Sequence, residues 1–247
     1  VSATVELARL EGKLFLREPT SLFFGLVFPS LLLIALGQFY PGFLDPVADI
    51  GYRRYVDVYA PVVIALGIAT VGLVTLPPVL GTYRQFGILR RLRTTPVRPH
   101  KLLVAQLAVH GTVAVVASAA AVAIAVLWFD APFPEKPLWF LLSFLLAVTS
   151  VFSIGLLVGA IAKTTSGATA LGMLVYFPML FFAGVYVPRT VMSDALLTVS
   201  DSTPLGSAVQ ALYDAWFGAA PSAFNLLVMV TYTVVIGGIA VKVFRWD

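Results

Sequence analysis

The 28 residues LLVAQLAVHGTVAVVASAAAVAIAVLWF, positions 102–129, contain no Asp, Glu, Lys or Arg. A helix crosses the ~30 Å hydrocarbon core of a bilayer with about 20 apolar residues, so this stretch spans it with some interface to spare. Five more charge-free runs occupy 19–44, 58–83, 137–162, 164–188 and 215–241. The six runs take 158 of the 247 residues, and all 28 acidic and basic side chains fall in the other 89. The composition is 60% hydrophobic and 11% charged, with a mean hydropathy of +0.96. A soluble domain carries about 25% charged residues, and a disordered chain needs low hydrophobicity; both classes are excluded. The predicted fold class is all-α: a polytopic membrane protein with six transmembrane helices in a single domain.

The basic residues set the expected orientation, because Lys and Arg are retained on the cytoplasmic side. With the N-terminus inside, 12 of the 16 basic residues are cytoplasmic against four acids, and the outer segments hold Arg53, Arg54, Lys136 and Arg189 against eight acids. Both termini are therefore expected in the cytoplasm, in a plasma (inner) membrane. The basic balance of the chain reports topology and not nucleic-acid binding. The opening residues lack the basic, apolar and small-residue succession of a cleaved signal peptide.

Outward from the spans, residues 3–18 read as an interfacial amphipathic helix. Leu7, Leu10 and Leu14 form one stripe, and Glu6, Arg9, Lys13 and Arg17 another; Pro19 ends it. The spans are expected at about 20–40, 57–81, 102–128, 138–162, 167–187 and 222–243. Pro77-Pro78 should kink or loosen the inner end of span two, and Pro178 and Gly184 interrupt span five. Gly155-xxx-Gly159 offers a helix-packing face. Between spans five and six, Met192, Ala195, Leu196 and Val199 repeat at helical spacing, as do Leu205, Ala208, Val209 and Leu212. Thr203-Pro204 supplies a cap followed by a first-turn proline. Two short outer helices follow.

Catalytic chemistry finds little support. The six charge-free runs contain no Asp or Glu and the chain no Cys, so thiol chemistry, Cys metal sites and carboxylate pairs within the membrane are excluded. Two histidines, His100 and His110, do not make a catalytic metal site; no metal is expected. Gln106 and His110 share one face of span three, where they serve interhelical hydrogen bonding or line a polar pathway. No phosphate loop of the Gly-x-x-x-x-Gly-Lys-Ser/Thr type is present. Any ATP hydrolysis must belong to another chain.

The inner loop between spans two and three carries Arg84, Gln85, Gly87, Leu89, Arg90, Arg91, Leu92, Arg93, Thr94, Thr95 and Pro96. Its charge is compatible with anionic lipid contact or with a docking helix for a cytoplasmic partner, with Gly87 permitting close approach and Ile88, Leu89 and Leu92 as an apolar ridge. Tyr83-Arg84-x-x-Gly87-x-Leu89-Arg90-Arg91-Leu92-Arg93-Thr94-Thr95-Pro96 resembles the cytoplasmic signature of ABC type-2 exporter permeases. Leu16-Arg17-Glu18-Pro19, the Phe177–Pro188 segment and Thr203-Pro204-Leu205-Gly206 are similar to other parts of that family, closest to its daunorubicin-resistance type. The chain departs from the pattern at Gln85, where an acid is frequent, and at Met192-Ser193, where Met-Pro is.

The resemblance implies a permease that binds no cofactor itself, with ATP and Mg on cytoplasmic ABC ATPase subunits, and a second permease copy, identical or related. It assigns Arg84–Pro96 to ATPase coupling. Spans one, two and five would line the path, with Phe24, Phe28, Gln38, Thr70, Thr75, Tyr176, Phe177 and Phe181 as candidate lining residues for a hydrophobic or amphiphilic cargo moved outward among membrane lipids. The competing expectation is a non-transporting membrane anchor or sensor partnered with the same kind of ATPase.

Overall fold

The computed structural model describes residues 3–48, 51–88 and 99–244. Six helices in it are long and apolar enough to cross a membrane: Pro19–Phe39, Tyr55–Gln85, Lys101–Phe129, Pro137–Ile161, Thr165–Phe182 and Ala223–Val243, called spans one to six. The fold is all-α. The described residues include one two-residue antiparallel ladder, Pro46–Val47 with Arg53–Arg54, in the loop after span one. Tyr83 at the end of span two, Leu102 at the start of span three and Phe244 after span six pack together. Tyr83 also bonds Glu11 of the N-terminal helix, so both terminal segments lie on one face, called here the terminal face.

Span two is the centre of the bundle, with 83% of its most apolar stretch buried. Small residues let its neighbours approach. A Cβ on Gly155 of span four would lie 1.9 Å from the carbonyl oxygen of Gly72, and one on Gly159 would meet Leu80. The Gly155-xxx-Gly159 face thus packs against span two, as helix pairs in lipid do where small residues allow backbone contact. Phe152, Leu73, Leu76 and Leu80 fill the surrounding core.

Pro77 and Pro78 do not end span two. A wider turn, Thr70–Thr75, precedes them, and a new helical segment starts at Leu76 with proline in its first turn. Proline there lacks only a donor that a first turn leaves free anyway. Span one uses the same device: the wide turn Phe23–Val27 comes before Pro29. Pro178 likewise lies inside span five without interrupting it. That helix stops at Phe182, five residues earlier than expected, and Gly184 follows at φ +88°.

The N-terminal helix, Ala3–Leu16, forms as expected. Glu18 is extended before Pro19, and Pro19 opens span one, which is the restriction proline places on its predecessor. The helix turns a different face to the protein than its leucine stripe suggested. Glu11 and Phe15 are buried, whereas Leu10 and Leu14 are exposed. Phe15 meets His110 edge-on at 5.6 Å, so the helix follows the first turns of span three.

On the opposite face, helices Asp194–Asp201 and Pro204–Trp216 form, capped by Ser193 and Thr203. The Thr203 hydroxyl accepts from Gly206 N at 3.1 Å. The backbone of Glu135 and Lys136 donates to Trp216 and Ala215 at 3.1 Å each, which ties the second of these helices to the start of span four.

Candidate functional site

Four successive side chains at the terminal end of span two each hold another element. The Thr82 hydroxyl lies 2.9 Å from that of Thr165, at the start of span five. Tyr83 donates its hydroxyl to the Glu11 carboxyl on the N-terminal helix and accepts from Gln106 Nε2 of span three at 3.4 Å. Arg84 donates to the carbonyls of Ala160 at 2.8 Å and Ala162 at 2.6 Å. Gln85 Oε1 accepts from Thr165 N at 2.9 Å. Helix ends leave such backbone groups without partners. Arg84 supplies donors, and a favourable positive charge, at the C-terminal end of span four; Gln85 supplies an acceptor at the N-terminal end of span five. Gly81 makes this possible, since a Cβ there would meet Thr164 O at 2.8 Å. The result is a hub joining the N-terminal helix and spans two to five at the root of the basic loop.

The loop signature divides here. Arg84 and Gln85 have their side chains engaged within the chain. Gly87 is half-buried at φ +67°, with nothing within 4 Å of a Cβ placed on it. Within this chain glycine serves there as a left-handed helix terminator, and the close approach anticipated for it is not to any described residue. Leu89, Arg90, Arg91, Leu92, Arg93, Thr94, Thr95 and Pro96 lie outside the described residues.

The buried carboxyl of Glu11 lies off the charged stripe of the N-terminal helix: it sits four residues after Leu7 and four before Phe15, on the stripe that packs. Burial pushes its pKa above the usual carboxylate range, and hydrogen bonds from Tyr83 and Gln106 act the other way. Gln106 does make the interhelical bonds expected of it. His110 Nδ1 lies 2.9 Å from the Gln106 carbonyl oxygen of its own helix.

The proposed lining residues separate by burial. Thr70, Thr75 and Tyr176 are buried inside the subunit. The Thr70 hydroxyl lies 2.9 Å from the Tyr176 hydroxyl, and Thr75 bonds Val71 O of its own helix. Phe24, Gln38 and Phe177 are exposed, and Phe28 and Phe181 half-buried. Phe24 and Phe28 belong to one aromatic cluster with Phe23. Spans one and five both pack against span two.

The opposite face holds a cavity of about 290 Å³, lined by Tyr55, Tyr59, Arg189, Asp201, Gln210 and Tyr213. Its charges are paired. Arg189 bonds Asp201 at 2.6 Å and Gln210 at 3.2 Å. Arg54 pairs with Asp57 at 2.7 Å. Arg53 donates to Tyr213 at 2.8 Å and lies 3.8 Å over the Phe217 ring. Burial raises the pKa of nearby Asp214. These three arginines, assigned by charge counting to the outer side, are thus fastened to acids and rings.

Six spans clustered about a central helix, with a hub at one end and paired charges at the other, define a multi-pass membrane protein. The family model of the ABC-2 type transporter matches residues 3–217, and the chain belongs to that family. It is a membrane subunit of an ABC transporter and works with an ABC ATPase subunit. A comparison with curated proteins finds no match.

Proposed function

We propose that this permease exports a hydrophobic or amphiphilic cargo, a drug, lipid or glycolipid, from the cytoplasm or inner leaflet of a plasma membrane, driven by ATP hydrolysis on two cytoplasmic ABC ATPase subunits. Both termini and the hub then face the cytoplasm. A second permease, identical or related, covers the exposed aromatic faces of spans one and five, and the cargo path runs between the two copies. Phe24, Phe28, Gln38, Phe177 and Phe181 are its walls in the arrangement described above; Thr70, Thr75 and Tyr176 join it when spans two and five part.

One observation carries this reading: the four side chains Thr82 to Gln85 connect the root of the basic loop to the N-terminal helix and to spans three, four and five. A push on Gly87–Pro96 by closing ATPases is handed to four elements at once. That is the rigid-body linkage alternating access requires. In this reading Leu89 and Leu92 enter an apolar groove on the ATPase. Burying a leucine side chain is worth roughly 1.5–3 kcal/mol, so Leu89→Ala with Leu92→Ala weakens assembly by one or more orders of magnitude while the chain still inserts. Loss of ATPase co-purification and of export is the expected result. Wild-type complex yield and transport from the double variant would reduce the loop to a topology signal and overturn the coupling assignment.

A further inference from the structure

The Glu11 carboxyl is 6% exposed and is held by the Tyr83 hydroxyl and the Gln106 amide. Among the described residues no lysine or arginine pairs with it; Tyr83 and Gln106 are the groups that act on it. Both partners donate as well as accept. A phenol, a primary amide and a protonated carboxyl satisfy one another in full, with the carboxyl acting as donor. An ionised carboxylate receives their protons but stays buried without a countercharge, which is unfavourable in a low-dielectric setting. The titratable groups facing this seam are few. Tyr83 comes from span two. His110 comes from span three and meets Phe15 of the N-terminal helix. Lys101 opens span three. On the helix itself Glu6, Arg9 and Lys13 are exposed on other faces.

The position matters as much as the chemistry. Glu11 is the side chain by which the N-terminal helix grips the hub, and its partner Tyr83 comes one residue before the arginine that caps span four. We propose that Glu11 is a proton-dependent positioning residue: neutral, it clamps the N-terminal helix to Tyr83 and Gln106, and ionised, it lets that helix part from the end of span two. The latch rests on contacts within this chain; its consequence for transport rests on the exporter reading. The sign follows from linkage. A carboxyl whose pKa is raised when docked and ordinary when released favours docking fully below the ordinary carboxyl value, and loses that contribution as pH rises through the raised one. Rising cytoplasmic pH therefore loosens the helix and weakens one of the hub's four holds.

Hydrogen exchange of the full chain in lipid nanodiscs, from about pH 5 to about pH 8 and corrected for intrinsic rates, reads the docking directly. Each unit of raised pKa adds about a tenfold change in the docking equilibrium. Amides of residues 3–16 in the wild type are expected to lose protection toward alkaline pH, in proportion to that shift. E11Q, which keeps the neutral form's hydrogen bonding, should hold its low-pH protection throughout. Tyr83→Phe removes a donor that favours the ionised form, so its loss of protection should deepen at the alkaline end; this variant retains Glu11 and keeps the test open if E11Q folds poorly. A wild-type profile without pH dependence, or an unchanged slope in either variant, overturns the proposal. A helix that switches while ATP-driven transport by the assembled complex keeps a flat pH profile leaves the latch standing and severs it from transport.

Discussion

Spans two and six have nearly the same mean hydropathy, 2.2 and 2.1, yet 83% of the first and 11% of the second is buried within the subunit. In water such a pair would be told apart by polarity, because the central helix would be the apolar one. In a bilayer the lipid tails are as apolar as leucine, so hydrophobicity drives neither helix to the centre. What separates them is how closely other backbones can approach. Span two presents Gly72 to Gly155, Gly81 to Thr164 and the Leu73 carbonyl to Gly172. Span six touches mainly span four, through Gly237 against Ser153 and a bond of 3.2 Å from Thr233 to Thr149. Close packing, and not apolarity, is the organising force.

The comparison is broken most readily at the tightest contact. Gly155→Leu must displace the Gly72 backbone, and overpacking costs about 1–3 kcal/mol, occasionally more. Gly238→Leu in span six, with nothing within 4 Å of its Cβ position, should leave thermal stability in detergent unchanged. Equal effects of the two substitutions would remove the distinction between the spans.

Arg84→Ala probes the end of the central span. It strips donors from the carbonyls of Ala160 and Ala162, and hydrogen bonds from a charged group are worth about 1.5–3 kcal/mol. A lowered melting temperature is expected, together with loss of coupled ATPase activity in the assembled complex. Arg84→Lys should recover only part of it, since a single ammonium does not reproduce the planar fork. Stability and coupling at wild-type levels would show that the hub does not depend on this cap.

The smallest effect sharpens the comparison at mid-span. Thr70→Val and Tyr176→Phe each remove one side of a hydroxyl pair between spans two and five. Double-mutant cycles in membrane proteins give about 0.6 kcal/mol for such pairs, with about 1.7 as an upper figure. A coupling energy in that range, measured by unfolding in mixed micelles, is the expected outcome. A zero value would show that the two spans are held by packing alone.

Much of the architecture was legible because charge is costly in hydrocarbon. Six runs without Asp, Glu, Lys or Arg located the six spans to within a few residues at most ends. Thr203-Pro204 announced the helix that starts there, because cap and first-turn chemistry is local. The proline readings divided. Pro77 and Pro78, expected to kink or loosen span two, follow a wider turn that lets the helix run on, whereas Pro178, expected to interrupt span five, lies within its length. Gly184 stops span five by its backbone angle. The hub was half legible. Tyr83 and Arg84 stood in the loop signature, but their partners lie 72 residues before and 76 residues after them in the chain.

By itself, then, the sequence determined the number of spans, their approximate ends and the helical elements outside them, since transfer of charge into hydrocarbon and the capping of helix ends depend on residues a few positions apart. The tertiary structure alone decided which span is central, which prolines matter, and that Glu11 is buried while Leu10 and Leu14 are exposed. Those outcomes depend on which backbones approach within van der Waals distance and on which distant hydroxyl or amide meets a carboxyl. No periodicity within a single helix carries that information.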